Sequence, residues 1–154
     1  VAEHSLRAAQ IGYILAKMEN YANPFEVCTM VVFHDMGECR LGDLHKLAAR
    51  YTEAKEEQAV IDQTADLGEM GAELLSNWQQ VDFKSTTAGI IGKDADYLEQ
   101  AFVAKEYLEK GMVNAQEWID NVSKALKTAS AKALLEQMLQ MDSTAWWKGL
   151  KKLS

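Results

Sequence analysis

Cysteine is almost missing from this sequence: Cys28 and Cys39 are the only two in 154 residues. That excludes a disulfide framework, suits a reducing cytoplasm, and leaves two thiols whose spacing fits no zinc pattern. Positive charge is also short. Sixteen Lys and Arg stand against 23 Asp and Glu, a formal net charge of -7. A protein that tracks DNA or RNA needs a basic stripe to neutralise phosphates, so a nucleic-acid polymer is not an expected partner; a single small nucleotide needs only a few local cations. No apolar run approaches the roughly 18 residues that a membrane span requires, and no signal peptide is visible. The expectations are therefore a cytoplasmic location and no membrane partner. Internal repeats, low-complexity tracts and linkers are absent too.

What remains is a chain of one-domain length, large enough to bury a core without metal or disulfide staples. A metal site in such a chain serves catalysis or regulation more than folding. The pattern is helical throughout. His4, Ala8, Ile11, Leu15 and Met18 form a stripe over residues 3 to about 20, with His4 at its N-terminal end. Asn23-Pro24-Phe25-Glu26 restarts a helix, Asn23 capping and Pro24 at the first helical position. That helix carries Val27, Met30, Val31 and Val32 and is expected to end near Gly37. A loop and a short helix follow to about Arg50. Thr52 opens a long helix with an acidic first turn (Glu53, Glu56, Glu57), and Gly68 and Gly71 are placed to bend it. Residues 79 to 86 read as a polar connection. The next helix runs from Thr86 or Thr87 to Gly111, a C-terminal stop. Asn114 to Glu117 has the form of a capping box, opening a helix to about Thr128. Ser130–Met141 and Asp142–Leu153 read as two more helices. Trp118, Trp146 and Trp147 supply late apolar surface for packing on the domain or on a second copy in a homodimer.

The chemistry gathers at Phe33-His34-Asp35-Met36-Gly37-Glu38, where an apolar helix stops and an imidazole and a carboxylate stand side by side. Buried polar groups need partners. His4 lies on one apolar helix, and Asp94 and Asp96 lie on another. Histidine, then His-Asp, then Asp, each on its own helix, is a set that closes one octahedral or five-coordinate site with positions left for water. On a helix Asp94 and Asp96 point about 200° apart, so only one of them enters such a site. The N/O donor set suits Co, Mn, Fe, Ni or Zn, with Mg also admissible, better than Ca.

The order Val1-Ala2-Glu3-His4-Ser5, His34-Asp35-Met36-Gly37-Glu38, Gly42-Asp43 and Lys93-Asp94-Ala95-Asp96 resembles the HD-domain metal-dependent phosphohydrolases. Within them it is most similar to the branch that removes phosphate from deoxyribonucleoside 5'-monophosphates. The likeness covers residues 1 to about 110, with helices 114–154 expected to pack on that part. It implies an all-α HD-domain bundle of six or more helices around an interior metal site, held by His4, His34, Asp35 and Asp96. The family pattern falls on Asp96 rather than Asp94. It also implies catalytic roles for Glu38 and Asp43. Glu38, four residues after His34, stands over the metal if the helix persists and is placed to orient or deprotonate water. Asp43 is placed to protonate the leaving oxygen. Which of the two is acid and which base stays open, as do plainer roles in a helix cap and a turn. Some HD enzymes hold two metals with extra histidines. Here only His45 is left over, which favours one divalent ion. Arg7, Arg40, Lys46 and Lys93 are the candidate phosphate contacts. Two departures stand out. The resembled nucleotidases use an arginine and a tryptophan from a segment ahead of the first histidine, and only three residues precede His4. Tyr97 also stands where relatives often carry lysine. The competing readings are an HD phosphohydrolase on a cyclic nucleotide or alarmone, and a non-enzymatic nucleotide-binding helical domain.

Overall fold

Thr86 starts the longest helix of the molecule: its hydroxyl accepts a hydrogen bond from Gly89 N at 3.0 Å. In the computed structural model, which describes residues 1–150, this helix, α6, spans Thr87–Glu109. Ala88, Ile91, Ala95, Leu98, Ala101 and Ala104 recur at helical spacing and are all buried. The four alanines among them let neighbouring helices come close. Packed on α6 are α1 (Ala2–Met18), α2 (Pro24–Phe33), α5 (Gly68–Asp82), α7 (Gln116–Ala125) and α8 (Ala129–Gln140). The short α3 (Glu38–Leu41) follows α2 in the chain and packs on α4 (Glu56–Thr64), which itself packs on α5. No strand occurs among the described residues.

Three helices matter most for the site, and one glycine sets how closely they meet. A Cβ on Gly12 of α1 would sit 3.3 Å from Val27 and Val31 of α2 and 3.5 Å from Ala95 of α6. The bare backbone therefore lets α1, α2 and α6 converge. Leu15, Met30 and Leu98 are fully buried at this junction, each worth roughly 1.5–3 kcal/mol of hydrophobic stabilisation. The predicted all-helical class and the Asn23 cap with Pro24 at the first position are both present; Asn23 Oδ1 accepts from Glu26 N at 3.4 Å.

Several boundaries differ from expectation. Helix α2 ends at Phe33 rather than near Gly37, and Val32 is exposed. The long helix from Thr52 starts only at Glu56 and is split, because Gly68 takes φ +57°, a left-handed conformation that a glycine adopts cheaply. The connection expected over 79–86 is helical to Asp82, since Trp78 and Val81 bury their side chains and draw the polar stretch into α5. The Asn114–Glu117 capping box does not form: a 3-10 turn occupies Val113–Ala115, and α7 begins at Gln116 without a side-chain cap. The helix expected from Asp142 is replaced, over its described part, by a 3-10 turn at Ala145–Trp147. Asp142 Oδ1 instead accepts from Thr144 N at 2.8 Å and its hydroxyl at 2.6 Å, the turn an Asp favours over helix. Leu153 lies outside the described residues. Of the late tryptophans, Trp146 is largely exposed, whereas Trp78, which the sequence reading passed over, is core.

Candidate metal centre

His4 projects from the first turn of α1, His34 caps the C-terminus of α2, and Asp96 sits in the buried middle of α6. The convergence of those helices brings one ligand atom from each within 4.8 Å of the others. His4 Nε2 stands 3.3 Å from His34 Nε2 and 3.3 Å from Asp96 Oδ1, and His34 Nε2 is 3.8 Å from that same oxygen. Asp35 flanks the group, with Oδ1 3.1 Å from His34 Nε2 and Oδ2 3.5 Å from His4 Nε2. Donors each about 2.1 Å from a shared ion stand roughly 3.0 to 3.4 Å apart in octahedral or tetrahedral arrangement. The observed spacings fall close to that.

The donor set itself argues for a cation. His34 Nδ1 donates to Val31 O at 2.6 Å, which turns Nε2 toward the other three side chains. Burial pulls the His34 pKa down, but Asp96 and Asp35 outweigh it and raise it. The His4 imidazole is pushed up to about 10 by its hydrogen bonds to Asp96 and Glu99. Burial would raise the Asp96 carboxyl, yet His34, His4 and Lys93 hold it well below the ordinary carboxylate range. Such a cluster takes up positive charge in whatever form is offered, and a divalent ion competes with protons for the same nitrogens. The residues therefore fit a first-row divalent cation, with Asp35 near enough to serve as a fourth ligand.

A cavity of about 1260 Å³ opens from this cluster. Seven carboxylates line it (Asp35, Glu38, Asp43, Glu56, Asp82, Asp96, Glu99) against two lysines, Lys46 and Lys93. An anionic ester entering such a wall is repelled unless a cation offsets the field. Glu38, in the first turn of α3, is pushed up to about 7, first by burial and then by Asp35, Asp43 and Glu56. The turn that carries it is tightly built. Gln63 of α4 donates to Met36 O at 2.8 Å, and a Cβ on Gly37 would lie 2.7 Å from Glu56 Cγ. Asp43 follows Gly42, whose φ of +77° reverses the chain toward the cavity mouth. The far wall is apolar, formed by Val103, Tyr107, Met112, Val113 and Trp118.

Other expected site residues are distributed unevenly. Lys93 is paired to Asp96 Oδ2 at 2.9 Å, so its charge already supports the cluster. Lys46 is exposed at the mouth; Arg40 is exposed and outside the lining residues. His45 also lines the mouth, where Nδ1 accepts from Leu47 N at 3.1 Å. Arg7 is engaged away from the cavity, with Glu99 and Glu106. Asp94 faces away, accepting from Lys127 N, Thr128 N and the Thr128 hydroxyl. Sequence reasoning missed Glu99, which bonds His4 Nδ1. Its position one turn beyond Asp96 was the available signal, since residues three apart share a helix face.

Comparison with known proteins gives a consistent result. The HD domain family matches residues 1–139. The chain is 30% identical over 117 residues to a Dictyostelium discoideum protein named 5'-deoxynucleotidase HDDC2; the match takes in 70% of this chain and 62% of that protein's length. A structural-genomics crystal structure is 34% identical, with TM-score 0.74, covering 96% of this chain and 80% of the other. A conserved hypothetical protein from Pyrococcus furiosus shares the fold at 24% identity and TM-score 0.74, over 92% of this chain and 83% of its own.

Proposed function

This chain belongs to the HD-domain family, and from that premise we propose that it is a divalent-metal-dependent phosphomonoesterase acting on deoxyribonucleoside 5'-monophosphates. The observation that carries the reading is the meeting of His4, His34 and Asp96 at the end of a cavity walled by Glu38 and Asp43. The 5'-deoxynucleotidase similarity supports the substrate branch. The matched region spans less than two thirds of that relative, so the substrate rests on the assay below.

His4, His34, Asp35 and Asp96 would hold the ion. A divalent cation supplies Lewis acidity, drawing charge from phosphoryl oxygens and making water more acidic. The chain's own groups do the rest. Lys93 fixes one oxygen of Asp96 at 2.9 Å and so leaves the other facing the imidazoles. Glu38, with a pKa near neutrality, exchanges a proton readily at physiological pH, as a general acid or base should. Asp43, which also lines the cavity, takes the opposite transfer. The apolar wall of Tyr107 and Trp118 offers a face to a base, while the carboxylate-rich lining disfavours an ester that carries no metal partner.

The test is a phosphate-release panel with Mn, Co, Zn, Ni, Fe and Mg. Deoxyribonucleoside 5'-monophosphates should be turned over fastest, and Glu38→Gln should slow them at least 100-fold. Preference for a cyclic nucleotide or guanosine tetraphosphate would move the reading to another ester. No hydrolysis with any metal would leave a nucleotide-binding module.

A further inference from the structure

We propose that Glu99 and Arg7 form a positioning pair that fixes the tautomer of His4, so that its Nε2 is available to a metal; this rests on His4 being a ligand. Glu99 is 3% exposed, deep between α1 and α6, and its two carboxylate oxygens have separate jobs. Oε2 accepts from His4 Nδ1. Oε1 accepts from Arg7, with Nε at 2.8 Å and the terminal Nη2 at 2.6 Å. Arg7 is itself held by Glu106, whose Oε1 lies 2.8 Å from Nη1. The two helices are matched in step: Arg7 comes three residues after His4, and Glu99 three after Asp96. One turn of each helix supplies the ligand and the next supplies its support.

The chemistry follows from what each atom can do. An ionised carboxylate only accepts hydrogen bonds. The imidazole must therefore carry hydrogen on Nδ1, which leaves Nε2, 3.3 Å from both His34 and Asp96, as the nitrogen that exchanges its proton for a metal. His34 reaches the same state by another route, donating Nδ1–H to Val31 O. Backbone fixes one imidazole, and a side-chain pair fixes the other. Only the second is adjustable by side-chain substitution.

Glu99→Gln tests this with nearly no change in shape. Arg7 has donors only, so it claims the amide oxygen, and the NH₂ is left facing His4 Nδ1. The proton then moves to Nε2, where it blocks a metal. The expected result is a 10- to 100-fold loss of Mn²⁺ or Co²⁺ affinity by calorimetry, the usual size of such outer-shell effects. With diamagnetic Zn²⁺ bound, the His4 nitrogen chemical shifts should show Nδ1–H and a metal-bound Nε2 in the wild type, and Glu99→Gln should lose that pattern. Adding Arg7→Met frees the amide to turn its oxygen toward His4, so the double variant should recover part of the affinity. A merely structural role would make the two changes additive.

Far-UV circular dichroism and melting establish that each variant is folded. Arg7→Lys keeps the charge without the fork and should lose affinity only a few-fold. Unchanged affinity and tautomer in folded Glu99→Gln would overturn the positioning role while leaving the metal reading intact. A wild-type protein that binds neither metal would sink both.

Discussion

Two aspartates two residues apart on α6 do opposite work, and separating them is a stringent prediction. Asp94 is 1% exposed and joins α6 to the start of α8. It accepts from Lys127 N at 3.0 Å, from Thr128 N at 2.7 Å and from the Thr128 hydroxyl at 2.7 Å. Thr128 in turn caps α8, accepting from Ala131 N. Three bonds to an ionised acceptor at roughly 1.5 kcal/mol each total about 4.5 kcal/mol, and water reaching the partly buried donors returns some of it. Asp94→Ala should therefore cost about 3 kcal/mol. With a urea slope of about 2 kcal/mol/M, the unfolding midpoint falls by about 1.5 M. Metal affinity, measured by calorimetry under conditions where the variant is folded, should not change. Asp96→Asn should do the reverse, abolishing metal binding with a folded spectrum retained. A stability shift below about 0.5 kcal/mol in Asp94→Ala, the usual range of an inert surface change, or a loss of metal binding like that of Asp96→Asn, would refute this division of roles.

Other expectations follow from the same contacts. A Cβ on Gly89 would lie 1.9 Å from Gln80 O, so Gly89→Ala should force α5 and α6 apart and cost at least about 2 kcal/mol in urea unfolding. Glu38 has its pKa raised from 4.5 to about 7 in the folded, metal-free protein. A raised carboxyl pKa means stability present at low pH and lost as pH rises from about 4.5 through about 7. Glu38→Gln should therefore raise the metal-free melting temperature at pH 8 but not at pH 4, read by paired thermal melts. Saturating metal should stabilise the wild type by about 2.7 kcal/mol at 100 times its Kd, and a chelator should reverse this.

How much of this was legible from residues alone depended on where the information lay. The helices of the candidate cluster were readable because His4 and His34-Asp35 each sit on or beside an apolar stripe; helical geometry set Asp94 and Asp96 apart, and the family resemblance pointed to Asp96. The structure shows why that separation is sharp: the Asp94 side of α6 meets the α7–α8 junction, and the Asp96 side meets α1 and α2. Glu99 escaped because a glutamate in an ionic helix looks solvated until a second helix brings Arg7 and His4 to it. Trp78 and Val81 escaped for a related reason, since their burial overrides the polar composition around them. At the C-terminal end, Asp142 turned the chain with its own side chain, a local competition that helical periodicity does not register.

The central claim is most directly tested by anomalous diffraction from crystals soaked with Mn²⁺ or Co²⁺, collected at the metal edge. One strong peak per chain is expected within coordination distance of His4 Nε2, His34 Nε2 and a carboxylate oxygen of Asp96, and none in Asp96→Asn crystals. Soaked wild-type crystals with no peak there, or with equal occupancy in the variant, would contradict it.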